Sequence, residues 1–419
     1  MDPQSGEPRP QDSPPPGNQP NPWVPPYQPG PSSQPGQYPP PPPYPQPGPY
    51  QQPGPYQQPG PYQPGPYQQP GPYQPQWPGP HQQQQYGAPP PYPGQYAYRE
   101  PRIIPAPGGT PYHRLGRTPK HRWWRPIVGT LFLASGAFFL TAAVLVGWEI
   151  VHTLIAGEFV QPQGNDIFPS DTENLAVTLV MLAVLTPFVM LTAWLVQRRP
   201  AWSVASVLNR IRWRWLLMCC LPGLGYLALS YGLGIVADAI FPSSDATATD
   251  DGSWVGFSAF IVPALVILLL VPLQSAAEEF VFRGWLLQAI GAYGPDRPEG
   301  RARWLRVLFR SPWPGIVISS LAFVSAHGYT GWAMADIFLF AVTIAWLTVR
   351  TGGLEAGIAL HAMNNLFAFL LPAATGQLDG WDQQGGAPWT LLALDIPCLA
   401  FYAAAVVWVS KRNRIARVS

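Results

Sequence analysis

The sequence has little charge for its length, and this scarcity limits the classes of protein to consider. Only 11% of its 419 residues are charged, and the formal net charge is +2. Proteins that bind nucleic acid carry strongly basic surfaces, so no nucleic-acid partner is expected. The three cysteines all lie within apolar runs, which indicates buried thiols rather than a disulfide framework or a zinc knuckle. An apolar signal-peptide core near the start is also missing, so no secretory signal is expected.

The first part of the chain is rich in proline, glycine, glutamine and tyrosine and has few aliphatic residues. Most of the 57 prolines lie there, and a hexad such as QQPGPY recurs between Gln51 and Pro80. Such a segment cannot bury enough apolar surface to offset the entropy lost on ordering, and proline favours extended polyproline II. We therefore predict that residues 1–112 form a disordered, low-complexity cytoplasmic tail. An alternative is that the tail binds proline-recognising partners or associates with itself.

The rest of the chain, residues 113–419, alternates long apolar segments with short polar ones. A membrane-spanning helix needs about 20 apolar residues, within a range of about 17–25. This pattern predicts an all-α, polytopic transmembrane helix bundle of about eight spans in the cell membrane, in contact with the lipid bilayer. The fifth and sixth segments are short and could form a re-entrant pair, whereas the fourth is overlong, with Pro263 and Pro272 as candidate breaks. The predicted spans are 127–154, 174–196, 214–240, 257–290, 313–328, 332–349, 354–372 and 388–410.

Basic and acidic loops alternate along this helical domain. The approach to the first span, HRLGRTPKHRWWRP, is basic, and the following loop contains four acidic residues and no Lys or Arg. This alternation continues without interruption to the closing KRNRIAR. Loops rich in Lys and Arg stay on the cytoplasmic side. An even number of spans follows, with the N- and C-termini both predicted to be cytoplasmic.

Several predicted spans contain residues that lipid should exclude. An ionisable side chain near the bilayer centre costs at least ~2.5–3.5 kcal/mol on insertion scales, so such residues are rare and usually functional. At 1.5 Å per residue from the cytoplasmic ends, the polar groups of three spans reach the same depth to within about one helical turn. Others lie near span ends or stand alone, and neighbours more often satisfy them: Glu149, Asp238, Asp336 and Asp395. The convergent set is Glu278, Glu279, Arg283, His327, His361, Asn364 and Asn365.

Helical spacing predicts different roles for the two neighbouring glutamates of this set. Glu279 and Arg283 are four residues apart with the acid first, which is the favourable order for an ion pair. Glu278 is rotated by ~100° from Glu279 and is therefore left free for chemistry. A carboxylate in a low-dielectric pocket can act as a general base, and imidazole and amide groups can stabilise an oxyanion. This inventory suits amide hydrolysis without a covalent intermediate, and the nucleophiles Ser275 and Ser325 stay open as alternatives.

Three short motifs resemble those of the CPBP family, which groups CAAX prenyl proteases with bacteriocin-processing proteins. EEFVFR (Glu278–Arg283) is similar to the family's EExxxR, FVSAH (Phe323–His327) to FxxxH, and HAMNN (His361–Asn365) to HxxxN. The order and spacing of the motifs, and their placement in consecutive spans, agree with the family. The resemblance covers a motif-bearing core of about residues 200–372.

The resemblance implies an intramembrane endopeptidase, a hydrolase that acts on a membrane-tethered peptide or protein. It implies that Glu278 activates the attacking water, that His327 helps to bind this water, and that His361 and Asn365 stabilise the oxyanion. Glu279 and Arg283 would contact and hold these catalytic groups rather than the substrate.

The family is often labelled a metalloprotease, although the residues suit a metal-free glutamate mechanism equally well. No cofactor is certain. If a divalent metal such as zinc is bound, its ligands are expected to be Glu278, His327 and His361, although the HExxH motif of many zinc proteases is absent.

Non-proteolytic functions stay open from the sequence alone. Intramembrane carboxylates and histidines also mark proton-coupled transporters, although the inverted repeats of many transporters are not visible. An immunity scaffold with a vestigial protease site is a further alternative. The polar groups could also serve only to hold helices together, but such hydrogen bonds contribute only ~0.6 kcal/mol on average.

Overall fold

The computed structural model describes residues 100–160, 166–240, 253–297, 303–378 and 385–419, and this part of the chain is mainly helical. Two short 3-10 turns, Tyr112–Arg114 and Ala201–Val204, and a two-residue strand, Gly386–Ala387, accompany the helices. A π-helix, Phe280–Leu286, lies between the fifth and sixth α-helices. The α-helices are α1 (Trp124–Ala156), α2 (Asp171–Ala183), α3 (Leu185–Leu195), α4 (Trp213–Ile240), α5 (Phe257–Glu279), α6 (Leu287–Gly291), α7 (Arg303–Arg310), α8 (Trp313–Ser325), α9 (Gly331–Thr351), α10 (Glu355–Thr375) and α11 (Trp389–Arg412).

Helices of membrane-spanning length dominate the described ranges and confirm the predicted transmembrane bundle. Seven are long and apolar enough to cross a bilayer, counting α2 with α3 as one and α5 with α6 as one. Helices α7 and α8 would form an eighth, but they are bent by 63° relative to each other. The sixth predicted span is not short, because α9 contains 21 residues. Only the fifth, α8 with 13 residues, is too short to span alone.

Hydrogen bonds join the two ends of the helical domain. The backbone N–H of Gly109 donates to Ser419 O at 2.7 Å, and the N–H of Ser419 donates to Thr110 O at 3.0 Å. The residues before α1 and after α11 therefore lie on the same side of the bilayer, and an even number of crossings separates them. Helix α8 is only about 20 Å long at 1.5 Å per residue, so it does not cross a bilayer alone. Which side is cytoplasmic remains a prediction.

The packed part of the chain begins earlier than the predicted boundary at residue 112. The N–H of Ile104 donates to Arg198 O at 3.1 Å. Tyr112 is fully buried, and its hydroxyl donates to Val204 O at 2.5 Å. Ile104 and Tyr112 both stand in a stretch whose composition continues that of the tail, so composition alone gives no sign of these contacts. Residues 1–99 lie outside the described residues, and their disorder and proline-recognising partners remain predictions.

The overlong fourth span does not break at its prolines, contrary to the expectation from the sequence. Helix α5 continues through both Pro263 and Pro272. A proline removes one backbone hydrogen bond, and membrane helices tolerate this where neighbouring groups and local adjustments compensate. The irregularity lies instead in the π-helix Phe280–Leu286, directly after Glu279. Segments of this kind occur frequently at functional sites.

A buried ion pair fixes the start of α10, the helix that carries HAMNN. Arg212 donates to both oxygens of Glu355, through Nε at 2.8 Å and Nη2 at 2.6 Å. Glu355 is completely buried, and the N–H of Val207 donates to Gly352 O just before the helix begins. A bidentate pair of this kind adds geometric specificity. The loop before α4 thereby sets the height of α10 in the bundle.

Candidate active site

The four predicted catalytic side chains lie around one cavity. Glu278 on α5, His327 after α8, and His361 and Asn365 on α10 line a space of about 520 Å³. His327 was predicted to end a span, but it lies two residues beyond the end of α8, in the turn towards α9. Glu279 is adjacent in sequence to Glu278 but does not line this cavity. The rotation between neighbouring residues on a helix accounts for the difference.

Arg283, Glu279 and His361 form a buried hydrogen-bond network next to the cavity. Arg283 Nη1 donates to Glu279 Oε1 at 3.0 Å, and the same oxygen accepts from His361 Nδ1 at 2.9 Å. An ionised carboxylate only accepts hydrogen bonds, so Nδ1 of His361 carries the proton in this contact. The other ring nitrogen, Nε2, lies 3.5 Å from Glu278 Oε2. Glu279 therefore orients His361 as well as pairing with Arg283, whereas sequence spacing indicated only the ion pair.

One carboxylate oxygen of Glu278 is held by a neighbour on the same helix. Gln274 Nε2 donates to Glu278 Oε1 at 2.6 Å, and Gln274 Oε1 accepts from Asn365 Nδ2 at 3.3 Å. The second carboxylate oxygen, Oε2, has no hydrogen-bond partner among the described residues, and the whole residue is only 8% exposed. Gln274 was missed in the sequence. Its position four residues before Glu278, on the same helix face, was the available signal.

The phenylalanine of the FVSAH motif supports both histidines. The ring of Phe323 lies 4.5 Å from the His327 ring and 5.7 Å from the His361 ring, measured between centroids. The guanidinium carbon of Arg283 lies 4.2 Å from the same ring centroid, within the range of a cation–π contact. His327 Nδ1 donates to the Phe323 carbonyl at 2.7 Å, which leaves Nε2 of a neutral ring as an acceptor.

A glycine allows α10 to approach α5 at this point. A Cβ atom on Gly357 would lie 2.6 Å from Ile344 Cγ2 and 3.0 Å from Glu279 Oε2. Such distances are shorter than van der Waals contact, so a side chain here would push the two helices apart. Gly357 precedes His361 by one helical turn. The contact between His361 and Glu279 therefore depends on a residue without a side chain.

The predicted metal ligands are not arranged as a metal site. A catalytic zinc ion takes three protein ligands at about 2 Å each, arranged tetrahedrally with an open position. Within the described ranges, no group of three or more His, Cys, Asp and Glu side chains is placed to hold a metal ion. The Nδ1 atoms of His361 and His327 donate to Glu279 and to a backbone carbonyl, which leaves the Nε2 atoms, but these are not grouped with Glu278 around a common point. The set Glu278, His327 and His361 thus does not fit zinc as arranged, and no step is derived through a metal.

The two alternative nucleophiles lie away from the cavity. Ser275 is fully buried, and its hydroxyl donates to Gln274 Oε1 at 3.2 Å. The hydroxyl of Ser325 donates to the Ala322 carbonyl at 2.9 Å on the exposed side of α8. Neither side chain is among the described residues that line the cavity. The arrangement therefore favours a water molecule over a serine as the nucleophile.

Comparisons with known proteins agree with a membrane peptidase. Residues 258–367 match the family described as "Type II CAAX prenyl endopeptidase Rce1-like". This match contains all three motifs and agrees with the resemblance to the CAAX protease (CPBP) family, in support of a membrane-bound peptidase. A Bacillus subtilis (strain 168) protein named "Uncharacterized protein YyaK" is 27% identical over 254 residues, which cover 58% of this chain and 79% of that protein. No solved structure matches the chain.

Proposed function

We propose that this protein is an intramembrane endopeptidase that hydrolyses a peptide bond of a membrane-tethered substrate with a water molecule activated by Glu278. One observation carries the proposal. Glu278 Oε2 is buried, has no hydrogen-bond partner among the described residues, and belongs to a side chain that lines a cavity shared with His327 and Asn365. A carboxylate oxygen held in this way is suited to accept a proton from water.

The mechanism requires two proton transfers and no covalent intermediate. Water is held between Glu278 Oε2 and Nε2 of His327, and Glu278 takes a proton as the water oxygen attacks the scissile carbonyl carbon. The carbonyl oxygen becomes an oxyanion, which the side chains of His361 and Asn365 stabilise by donating hydrogen bonds. Glu278 then passes its proton to the amide nitrogen as the carbon–nitrogen bond breaks. The carboxylate is thereby regenerated, and the products are a carboxylic acid and an amine.

His361 can donate to the oxyanion only if Nε2 carries a proton. Since Nδ1 donates to Glu279, donation through Nε2 requires the imidazolium form. An imidazolium at this position faces Glu279 on one side and Glu278, 3.5 Å away, on the other. With Arg283 included, the formal charges of the four groups sum to zero.

The decisive experiment replaces Glu278 by glutamine, which keeps the shape of the side chain and removes the base. Membrane proteomes of cells that express the wild type or Glu278→Gln are compared for cleavage products. We expect these products to disappear, and we expect turnover of an identified substrate in liposomes to fall by about 10²–10⁴-fold. Glu149→Gln on α1 is a matched control, because this carboxylate does not line the cavity. Cleavage that continues undiminished in Glu278→Gln would refute the mechanism, and solute flux that survives the change would favour a transporter.

We also propose that the face with basic loops is cytoplasmic, as the positive-inside rule indicates. On this face Arg114 donates to Asp296 Oδ1 at 2.7 Å, and Arg212 donates to Ala416 O at 3.0 Å. The segment before α1, Asp296 and the C-terminal segment therefore share one side. Labelling of a single cysteine introduced near Ser419 by a membrane-impermeant maleimide tests the orientation. Labelling in intact cells would contradict it, and labelling only after lysis is expected.

A further inference from the structure

A second group of polar residues lines the cavity, and the proposed mechanism does not use them. Tyr226 on α4, Asp336 on α9 and Asp395 on α11 share the cavity with Glu278. The hydroxyl of Tyr226 donates to Asp395 Oδ1 at 2.7 Å. Tyr226 and Asp395 both lie outside the segment 258–367 that matches the family. Tyr226 and Asp395 are therefore features of this chain that the family match does not cover, whereas Asp336 lies within it.

The two aspartates lack a compensating cation. Asp395 is only 7% exposed, and Asp336 Oδ1 is a buried atom without a hydrogen-bond partner in the described part of the chain. The side chains that line the cavity in the described ranges include no lysine or arginine. Burying carboxylates without a cation is unfavourable, and ionisable groups inside a membrane protein usually mark a path or a site for a ligand.

Glu278 also indicates that a polar ligand occupies this space. It is more than nine-tenths buried, and its Oε2 atom also lacks a hydrogen-bond partner among the described residues while the side chain lines the cavity. Carboxylates from α5, α9 and α11 thus surround one space. Aromatic rings of Tyr226, Tyr329 and Phe340 complete the lining. Aromatic faces attract cations, and more strongly where water is excluded.

We propose that Asp336 and Asp395 bind a cationic side chain of the substrate, a lysine or an arginine, a short distance along the peptide from the bond that is cleaved. The inference rests on the proposed function and names the substrate class of that site. Tyr226 positions Asp395 by its hydrogen bond. A bound cation compensates both carboxylates and satisfies Asp336 Oδ1, whereas a neutral side chain leaves these groups unpaired. Since unpaired buried polar groups discriminate strongly between ligands, basic substrates are preferred.

The test compares matched peptides attached to the same transmembrane anchor, with lysine or glutamine at each position near the cut. Full-length protein in liposomes is expected to cleave the lysine peptide with a kcat/KM at least ~10-fold higher at one of these positions. Asp336→Asn and Asp395→Asn are each expected to lower this lysine-to-glutamine ratio towards equality. Tyr226→Phe, which removes only the hydroxyl, is expected to lower the ratio by less. Glu149→Gln keeps the ratio of the wild type.

A binding measurement separates this inference from the proposed function. Photocrosslinking of the same peptides to Glu278→Gln reports binding without turnover. If the wild type cleaves both peptides equally, or if Glu278→Gln binds both equally or neither, the inference is overturned, whether or not proteolysis occurs. If nothing is cleaved but the lysine peptide is bound selectively, and Asp395→Asn in the same background loses this selectivity, the inference stands and the proposed function fails. An aspartate variant that does not elute as a single species in gel filtration is treated as misfolded. In that case Tyr226→Phe is used in its place to test the loss of selectivity.

Discussion

Gln274 holds Glu278 through a 2.6 Å hydrogen bond between groups one helical turn apart on α5. The same glutamine side chain accepts a hydrogen bond from Asn365 on α10. One amide therefore connects the proposed base with one of the proposed oxyanion donors. Because Gln274 occupies Glu278 Oε1, only the other carboxylate oxygen is left to accept a further hydrogen bond. The relative positions of Glu278 in EEFVFR and Asn365 in HAMNN therefore depend on Gln274, which belongs to neither motif.

Removing this amide should weaken turnover more than substrate binding. In Gln274→Leu the carboxylate of Glu278 and the amide of Asn365 both lose a positioning contact, although neither group is removed. We expect kcat to fall by about 10²-fold with KM little changed, since small misplacements of reacting groups have effects of this size. Steady-state kinetics on a tethered peptide measure the split. A variant with Gln274→Asn, which shortens the same amide, should recover part of the rate if positioning is the cause, and an unchanged kcat in Gln274→Leu would contradict the role.

The buried pair of Glu279 and Arg283 should be essential for stability. Both side chains are fully buried, so Arg283→Met removes the guanidinium that pairs with Glu279 inside the bundle. Breaking a buried pair by removing one partner destabilises a protein by about 3–5 kcal/mol. We expect a loss of this order in the free energy of unfolding in mixed detergent micelles.

The double variant Glu279→Gln with Arg283→Met provides the control for this pair. It removes both charges together and should recover much of the stability, although His361 then loses its carboxylate partner. Recovery of stability without recovery of turnover would separate the charge balance from the orientation of His361. A single Arg283→Met variant as stable as the wild type would show that the pair does not hold the bundle together.

Spacing along the helix predicted part of this arrangement, because it fixes which side chains share a face. The four-residue interval between Glu279 and Arg283 predicted their contact, and the alternation of basic and acidic loops predicted an even number of crossings. Equal depth within the bilayer likewise predicted that Glu278, His327 and His361 would meet. Each of these inferences depends on helix geometry, on the charges of the loops or on the distance along a span. All of these can be worked out from one sequence.

The other features depend on which helices pack together, and spacing does not specify this. Asp395 stood alone in the sequence, and only the packing of α11 against α4 and α9 brings it to Tyr226 and into the cavity. The π-helix after Glu279 has no proline to mark it, whereas the prolines before it leave α5 continuous. Tyr112 resembled the tail in composition, although its side chain is fully buried.

Adding a single methyl group at Gly357 should disturb both packing and activity. The new Cβ would meet Ile344 and Glu279, and overpacking of this kind costs about 1–3 kcal/mol. We expect Gly357→Ala to lower the unfolding temperature and the turnover together, because the contact of His361 with Glu279 is displaced. Gly147→Ala on α1 is the matched control, since no described atom lies within 4 Å of the place that its new Cβ would take, and alanine favours helix. If the two variants had equal unfolding temperatures, α10 could shift at Gly357 without a loss of stability.

The stability of the protein should fall in mild acid partly through His113, which lies outside the spans. Burial lowers the pKa of His113 from its usual value of about 6.5. The hydrogen bond with the Arg310 carbonyl opposes this shift, and the charge of Arg114 adds to it. Because the unfolded chain binds the proton more readily, the contribution to stability is present above about pH 6.5 and is lost as the pH falls through the folded pKa. Thermal unfolding at about pH 7.5 and about pH 5.5 should show a smaller loss in His113→Gln than in the wild type, and identical losses would assign the effect to other groups.

Removal of divalent metal should leave turnover unchanged. Within the described ranges, Glu278, His327 and His361 do not form a group placed to hold a metal. In the proposed mechanism Glu278 alone takes the proton, so no Lewis acid has to lower the pKa of water. Purified protein is incubated with a strong chelator, dialysed against metal-free buffer and assayed on the tethered peptide, with its metal content measured in parallel. A zinc-dependent protease treated in the same way confirms that the chelator works. Loss of activity that zinc restores in proportion to the metal bound would overturn the glutamate mechanism and return Glu278, His327 and His361 to the role of ligands.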